Sequence, residues 1–200
     1  MHDIIKGMLF IHGSEIKCHG NLTSANCVVD SRFTLKITDF GIPLLQSVVT
    51  QDSEETFYKK QLWRAPELQS SYGNVSQYTS PSFFIEGTQK GDVYSFGIIM
   101  QEILYRQGVF YLSVEDRDLN FGHEQKMERF VTPHDSLFLE QPKLKYKDIF
   151  ERSRFGLRPS LERDICSKEI IDLLKRCWSV SITERPDFNT IKDTMRKTTK

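Results

Sequence analysis

His19-Gly-Asn-Leu-Thr-Ser-Ala-Asn-Cys-Val-Val-Asp-Ser-Arg-Phe-Thr-Leu-Lys-Ile-Thr-Asp-Phe-Gly41 is the stretch around which the chain is organised. It holds two polar sites, His19-Gly20-Asn21 with Asn26, and Asp39-Phe40-Gly41. Between them lie two short apolar runs, Cys27-Val28-Val29 and Phe33 to Ile37. β-Branched and aromatic residues on either side of Asp30-Ser31 predict a hairpin. A hairpin brings Asn26, at its start, close to Asp39, at its end. An amide oxygen and a carboxylate that converge in this way suit a hard cation such as Mg²⁺.

The same residues in the same order resemble the catalytic segment of protein kinases, H-R-D-L-x-x-x-N followed by D-F-G. Leu22, the spacing to Asn26 and Asp39-Phe40-Gly41 match that pattern. Two positions depart from it: Gly20 stands in place of the Arg, and Asn21 in place of the Asp. The resemblance makes that Asp the group that takes the proton from the attacking hydroxyl. An Asn amide has no protonation equilibrium near neutrality and cannot serve as a base. The segment therefore resembles a pseudokinase with no catalytic residue, its degenerate loop being His19, Gly20 and Asn21. In that comparison His19 buttresses the loop.

The wording of the segment is similar to the kinase-homology domain of receptor guanylate cyclases of the natriuretic-peptide-receptor type, over about residues 2 to 195. The resemblance implies a mainly α (α+β) fold, protein-kinase-like, with a large helical C-lobe and a short β-hairpin next to the catalytic-loop segment. It implies one partial domain over residues 1–200, with the N-lobe absent: no two glycines fall two apart, so no G-x-G-x-x-G loop exists to cover phosphates. It further implies ATP and Mg²⁺ as cofactors at Asn26 and Asp39, the metal held only with bound nucleotide. The implied partners are the missing N-lobe, a guanylate cyclase domain in the parent chain and a second copy of that parent. The implied place is the cytoplasmic side of the plasma membrane, within a single-pass receptor. The expected role is regulation of cyclic GMP synthesis without phosphoryl transfer. Two alternatives stand beside it, a non-enzymatic scaffold with a vestigial nucleotide site and a weakly active kinase with an unusual loop.

Composition narrows the field independently. The 200 residues suffice for one core. Lys and Arg total 27, as do Asp and Glu, so charge gives no case for nucleic acid. Cys18, Cys27, Cys166 and Cys177 show no metal-ligand spacing, and Cys27 and Cys177 sit in apolar runs. They read as buried free thiols in a reducing compartment. No apolar run reaches membrane-span length and no signal peptide opens the chain, so the chain as given is expected to be soluble and cytosolic.

Apolar periodicity places a helix at 3–12, with Asp3 and Gly13 as its boundary signals. Residues 42–64 match the kinase activation segment. Ser47, Thr50, Ser53, Thr56 and Tyr58 offer hydroxyls there, and the segment is expected to be a polar surface loop, since Gly20 removes the usual phosphate partner. Ala65-Pro66-Glu67 matches the A-P-E element, and the resemblance pairs Glu67 with Arg185. Residues 71–90 and 107–164 read as insertions. A helix opens at Lys90 and runs to about Tyr105, with Asp92 as its N-cap or first-turn acid or, by resemblance, bonded to the backbone near His19 and Gly20. Phe83, Phe84, Phe110, Tyr111, Phe138 and Phe150 are expected to pack internally. Ser167 caps a helix at 167–178, and Pro186-Asp187 opens a last helix bearing Phe188, Ile191 and Met195. His2, His12, His123 and His134 are expected at the surface or at helix ends. With the N-lobe surface bare, the chain is expected to fold poorly alone.

Overall fold

A computed structural model of the chain describes residues 1–40, 53–69, 87–121 and 145–198. Helix α1 (His2–Gly13) lays Ile4, Ile5, Met8 and Ile11 along one buried face. A short 3₁₀ turn at Ser24–Asn26 leads into strand β1 (Cys27–Val29), which pairs antiparallel with β2 (Leu35–Ile37). The Asp30 carboxylate accepts from the Arg32 and Thr34 amides and so closes the turn. The hairpin is tied to α1 where the Leu35 amide donates to Asp3. Among the described residues these two strands form the whole sheet, and the rest of the regular structure is helical, as a kinase C-lobe requires.

The centre is helix α3 (Gln89–Tyr105). Thr88 caps it by accepting from the Gly91 amide, and Arg106 ends it in the left-handed region. Every residue from Gly91 to Gln101 is buried, so the helix is enclosed on all sides and not amphipathic. Around it stand α2 (Glu54–Gln61), α4 (Val114–Phe121), α5 (Tyr146–Arg154), α6 (Lys168–Cys177) and α7 (Phe188–Thr198). Helix α6 buries Ile171, Leu173, Leu174 and Cys177 against α3 and α7. Helix α7 brings Phe188 edge-on to both Phe96 and His12.

Several expectations are revised by packing. The segment at 42–64 is not wholly loop: Ser53 caps α2 by accepting from the Thr56 amide, and Tyr58 is buried against Phe150. Ser47 and Thr50 lie outside the described residues. Of the two local roles expected for Asp92 it takes the first-turn place in α3, and Thr88 holds the N-cap. Ser167 sits at the start of α6 without accepting a backbone amide; its side chain bonds Glu169 instead. Cys177 is fully buried and burial pushes its thiol up to about 12, but Cys27 is only half-buried, because its strand belongs to a two-stranded ribbon.

Phe110 and Phe150 join the core, whereas Tyr111 is half-exposed; Phe83, Phe84 and Phe138 lie outside the described residues, as do His123, His134 and the stretches 71–86 and 122–144 of the expected insertions. The buried Gln101 amide ties the Phe110–Leu112 stretch to the core. It donates to the Tyr111 and Ser160 carbonyls and accepts from the Tyr111 amide. No described helix is long and apolar enough to cross a membrane.

Candidate functional site

The loop His19-Gly20-Asn21 is held from below by α3. Asp92, 2% exposed, turns its carboxylate away from its own helix. One oxygen accepts from the His19 amide at 2.7 Å and the other from the Gly20 amide at 2.9 Å. The first oxygen also meets His12 Nε2 at 2.9 Å. A buried carboxylate is tolerated only with such a set of donors. His12, expected merely at a helix end, is therefore part of the loop's foundation. Nothing in its sequence position signals this, since its partner lies 80 residues away.

Gly20 has φ 77°, a left-handed conformation that glycine adopts without a steric cost. The chain entering α3 crosses directly over it: a Cβ on Gly87 would fall 2.1 Å from the Gly20 Cα. Cys18 donates to the Gly87 carbonyl, and the Gln89 amide donates to the carbonyls of His12 and Lys17. The loop is thus clamped from two directions.

His19 is fully buried. Burial pushes its pKa below the usual imidazole value, against the pull of Asp92, so the ring is neutral at pH 7. Its Nδ1 accepts from the Asn21 amide, and its ring stands edge-on to Phe40. The Asn21 carbonyl accepts from the Asn26 side-chain amide at 2.8 Å. That bond commits the Asn26 nitrogen to the loop and leaves its oxygen as the candidate ligand.

The hairpin register sets Cys27 opposite Ile37, and the Thr38 amide donates to the Asn26 carbonyl at 2.9 Å. Asn26 thus faces the residue before Asp39. Asp39 is exposed, with φ 58°. Among the described residues no three His, Cys, Asp or Glu side chains gather as a metal centre. An Asn oxygen and one carboxylate fit a Mg²⁺ ion whose other ligands come from phosphates and water. Gly41 lies outside the described residues.

A second fastening lies on the opposite side of α3. Arg185, whose side chain is fully buried, makes a two-pronged pair with Glu67, at 2.6 and 2.9 Å. The same guanidinium donates to the carbonyls of Ser179 and Lys90, and the Lys90 ammonium contacts the Arg185 carbonyl. Tyr94 lies between Arg185 and Arg158, whose guanidinium carbons stand 5.4 and 5.6 Å from its ring centre. This assembly fixes the Ala65-Pro66-Glu67 segment to α3 and to the start of α7.

A protein tyrosine and serine/threonine kinase family model matches residues 1–195. Atrial natriuretic peptide receptor 2 of Homo sapiens is 42% identical over 98% of this chain and 16% of its own length. Receptor-type guanylate cyclase gcy-28 of Caenorhabditis elegans is 35% identical over 98% of this chain and 14% of its own. Guanylyl cyclase C of Cavia porcellus is 38% identical over the same 98%, again 14% of its own length. The chain therefore spans less than a fifth of the curated relatives it matches. It belongs to the protein tyrosine and serine/threonine kinase family, and within that family it matches receptor guanylate cyclases along nearly its whole length.

Proposed function

We propose that this chain is the C-lobe of a kinase-homology region that regulates a guanylate cyclase domain in the same parent polypeptide, from the cytoplasmic face of the plasma membrane. The observation that carries the reading is the split character of the site. Asn21 stands at the place of the base, yet Asn26 and the neighbour of Asp39 are bonded across the hairpin, and Asp92 holds the loop in place. Such a site keeps oxygen ligands for a nucleotide-bound Mg²⁺ and lacks the group that takes a proton from an attacking hydroxyl.

With the N-lobe supplied by the parent, Asn26 and Asp39 would hold the Mg²⁺ that comes with ATP, and that ion would neutralise phosphate charge. The chain's own residues do the positioning. Asp92 and His12 fix the loop backbone, His19 remains a neutral prop, and Glu67 with Arg185 anchors the following segment. If ATP binds one arrangement of these parts more tightly than another, the difference in affinity sets how far it can bias the attached cyclase. The parent is expected to act as a homodimer.

The test is made on the parent protein. Mg·ATP is expected to shift its cyclic GMP synthesis, and Asp39→Ala to abolish that response while leaving expression intact. Phosphoryl transfer to a generic protein substrate is expected to stay at the level of the Asp39→Ala variant. Transfer clearly above that level would overturn the reading in favour of an active kinase. A cyclase indifferent to ATP, with no ATP-dependent thermal shift, would leave a scaffold role.

A further inference from the structure

Glu102 lies near the end of α3, and its two carboxylate oxygens serve two different segments. One accepts from the Ser24 hydroxyl at 3.2 Å, and the other from the Trp63 indole N–H at 2.8 Å. Ser24 opens the 3₁₀ turn that ends at Asn26, and Trp63 stands two residues before Ala65-Pro66-Glu67. Both bonds span long separations, 78 and 39 residues. Trp63 is buried and Glu102 half-buried, and no cation lies within ion-pair distance of the carboxylate among the described residues. Burial accordingly pushes its pKa above the usual carboxylate value, and its two neutral donors and the more distant charge of Lys59 offset only part of that.

We infer that Glu102 is a positioning residue that couples the Ser24–Asn26 turn to the Trp63 segment, so that a displacement of either is passed to the other. The two oxygens share one side-chain torsion. A rotation that follows Ser24 takes the other oxygen away from Trp63, and the reverse holds equally. Each segment is otherwise stiff. The Thr23 hydroxyl accepts from the Asn26 amide, and the Gln69 side-chain amide gathers the carbonyls of Gln61 and Arg64 around Trp63. Motion therefore concentrates at the carboxylate. The inference deepens the proposed function and rests on it in one respect: a ligand at Asn26 would then be felt at Trp63 and, by reciprocity, a partner on the Trp63 segment would be felt at Asn26.

The experiment is amide hydrogen exchange on the parent protein, read separately over 19–29 and 57–69. Trp63→Phe keeps the buried ring and removes the N–H. It is expected to speed exchange over 19–29 by about threefold to tenfold, a share of one hydrogen bond to a charged acceptor. Ser24→Ala, a milder change at a half-exposed position, is expected to do the same over 57–69. Glu102→Gln, which keeps one acceptor oxygen, is expected to loosen both. Effects confined to the mutated segment in all three variants would overturn the coupling. In the parent protein, Mg·ATP is expected to change exchange over 57–69 in the wild type but not in Glu102→Gln. A null ATP result with the mutational coupling intact would refute the nucleotide reading and leave the coupling standing.

Discussion

Replacing Asp92 tests whether one carboxylate holds the loop. Its oxygens accept from two backbone amides, those of His19 at 2.7 Å and Gly20 at 2.9 Å, and from His12 at 2.9 Å. Alanine removes all three bonds and leaves two amide N–H groups without their acceptor. An unsatisfied buried donor costs about 1–3 kcal/mol, so the pair costs roughly 4 kcal/mol. Asparagine keeps one oxygen for His19 and His12 but turns an NH₂ toward the Gly20 amide, at a cost of roughly 2 kcal/mol. Against a typical domain stability of about 5–15 kcal/mol, alanine threatens the fold and asparagine does not. Urea denaturation of the kinase-homology region with its N-lobe present is expected to rank wild type above Asp92→Asn above Asp92→Ala. Exchange of the His19 and Gly20 amides in the Asn variant is expected to rise about thirtyfold, the rate equivalent of 2 kcal/mol. An Asp92→Ala unfolding free energy within about 1 kcal/mol of wild type would refute the claim that this carboxylate carries the loop.

Arg185→Met removes the buried partner of Glu67, whose side chain is 25% exposed and so regains water, and is expected to cost about 1.5–3 kcal/mol, with a double-mutant cycle against Glu67→Gln measuring the coupling. Gly20→Ala places a Cβ at φ 77° and is expected to cost about 1–2 kcal/mol in a thermal melt. Tyr94→Phe is expected to be neutral or slightly stabilising, because the buried hydroxyl has no hydrogen-bond partner among the described residues. Burial holds the Tyr94 phenol and the Cys177 thiol each up to about 12 in the folded chain. Both lose their protons more easily when unfolded, so their contribution is complete below about pH 8.5 and is lost as pH rises toward 12. Alkaline urea titrations should show stability falling across that window, with Cys177 inert to thiol reagents until the chain unfolds.

The hairpin and helices α1, α3, α6 and α7 were legible where the signal is local, whereas α2, α4 and α5 were not. Apolar spacing from Ile4 to Ile11 and the Asp30 turn are properties of adjacent residues, and the structure realises both. The paired roles of Asp92 with His19 and of Glu67 with Arg185 were legible only through family resemblance. Their partners lie 73 and 118 residues apart, and no periodicity encodes such a distance. Gln101 and Glu102 escaped the sequence reading altogether, and His12 was read only as a surface or helix-end residue. Each is a polar residue on or at the end of a helix, with nothing local to set it apart from a solvated one.

What the sequence determined by itself is chemical: an Asn at the place of a base, a Gly at the place of an Arg, and oxygen donors at 26 and 39. These identities limit the site whatever the fold does with them. What the tertiary structure decided is which polar groups α3 would satisfy. Burying that helix on every side leaves its polar side chains to find partners within the protein, as Asp92, Ser95 and Gln101 do and, among the described residues, the Tyr94 hydroxyl does not, and the chain segments at hand are the loop at 19–20, the turn at 24 and the segment at 63. The need to satisfy buried polar groups, acting across the core, assembled the site from residues that the sequence keeps apart.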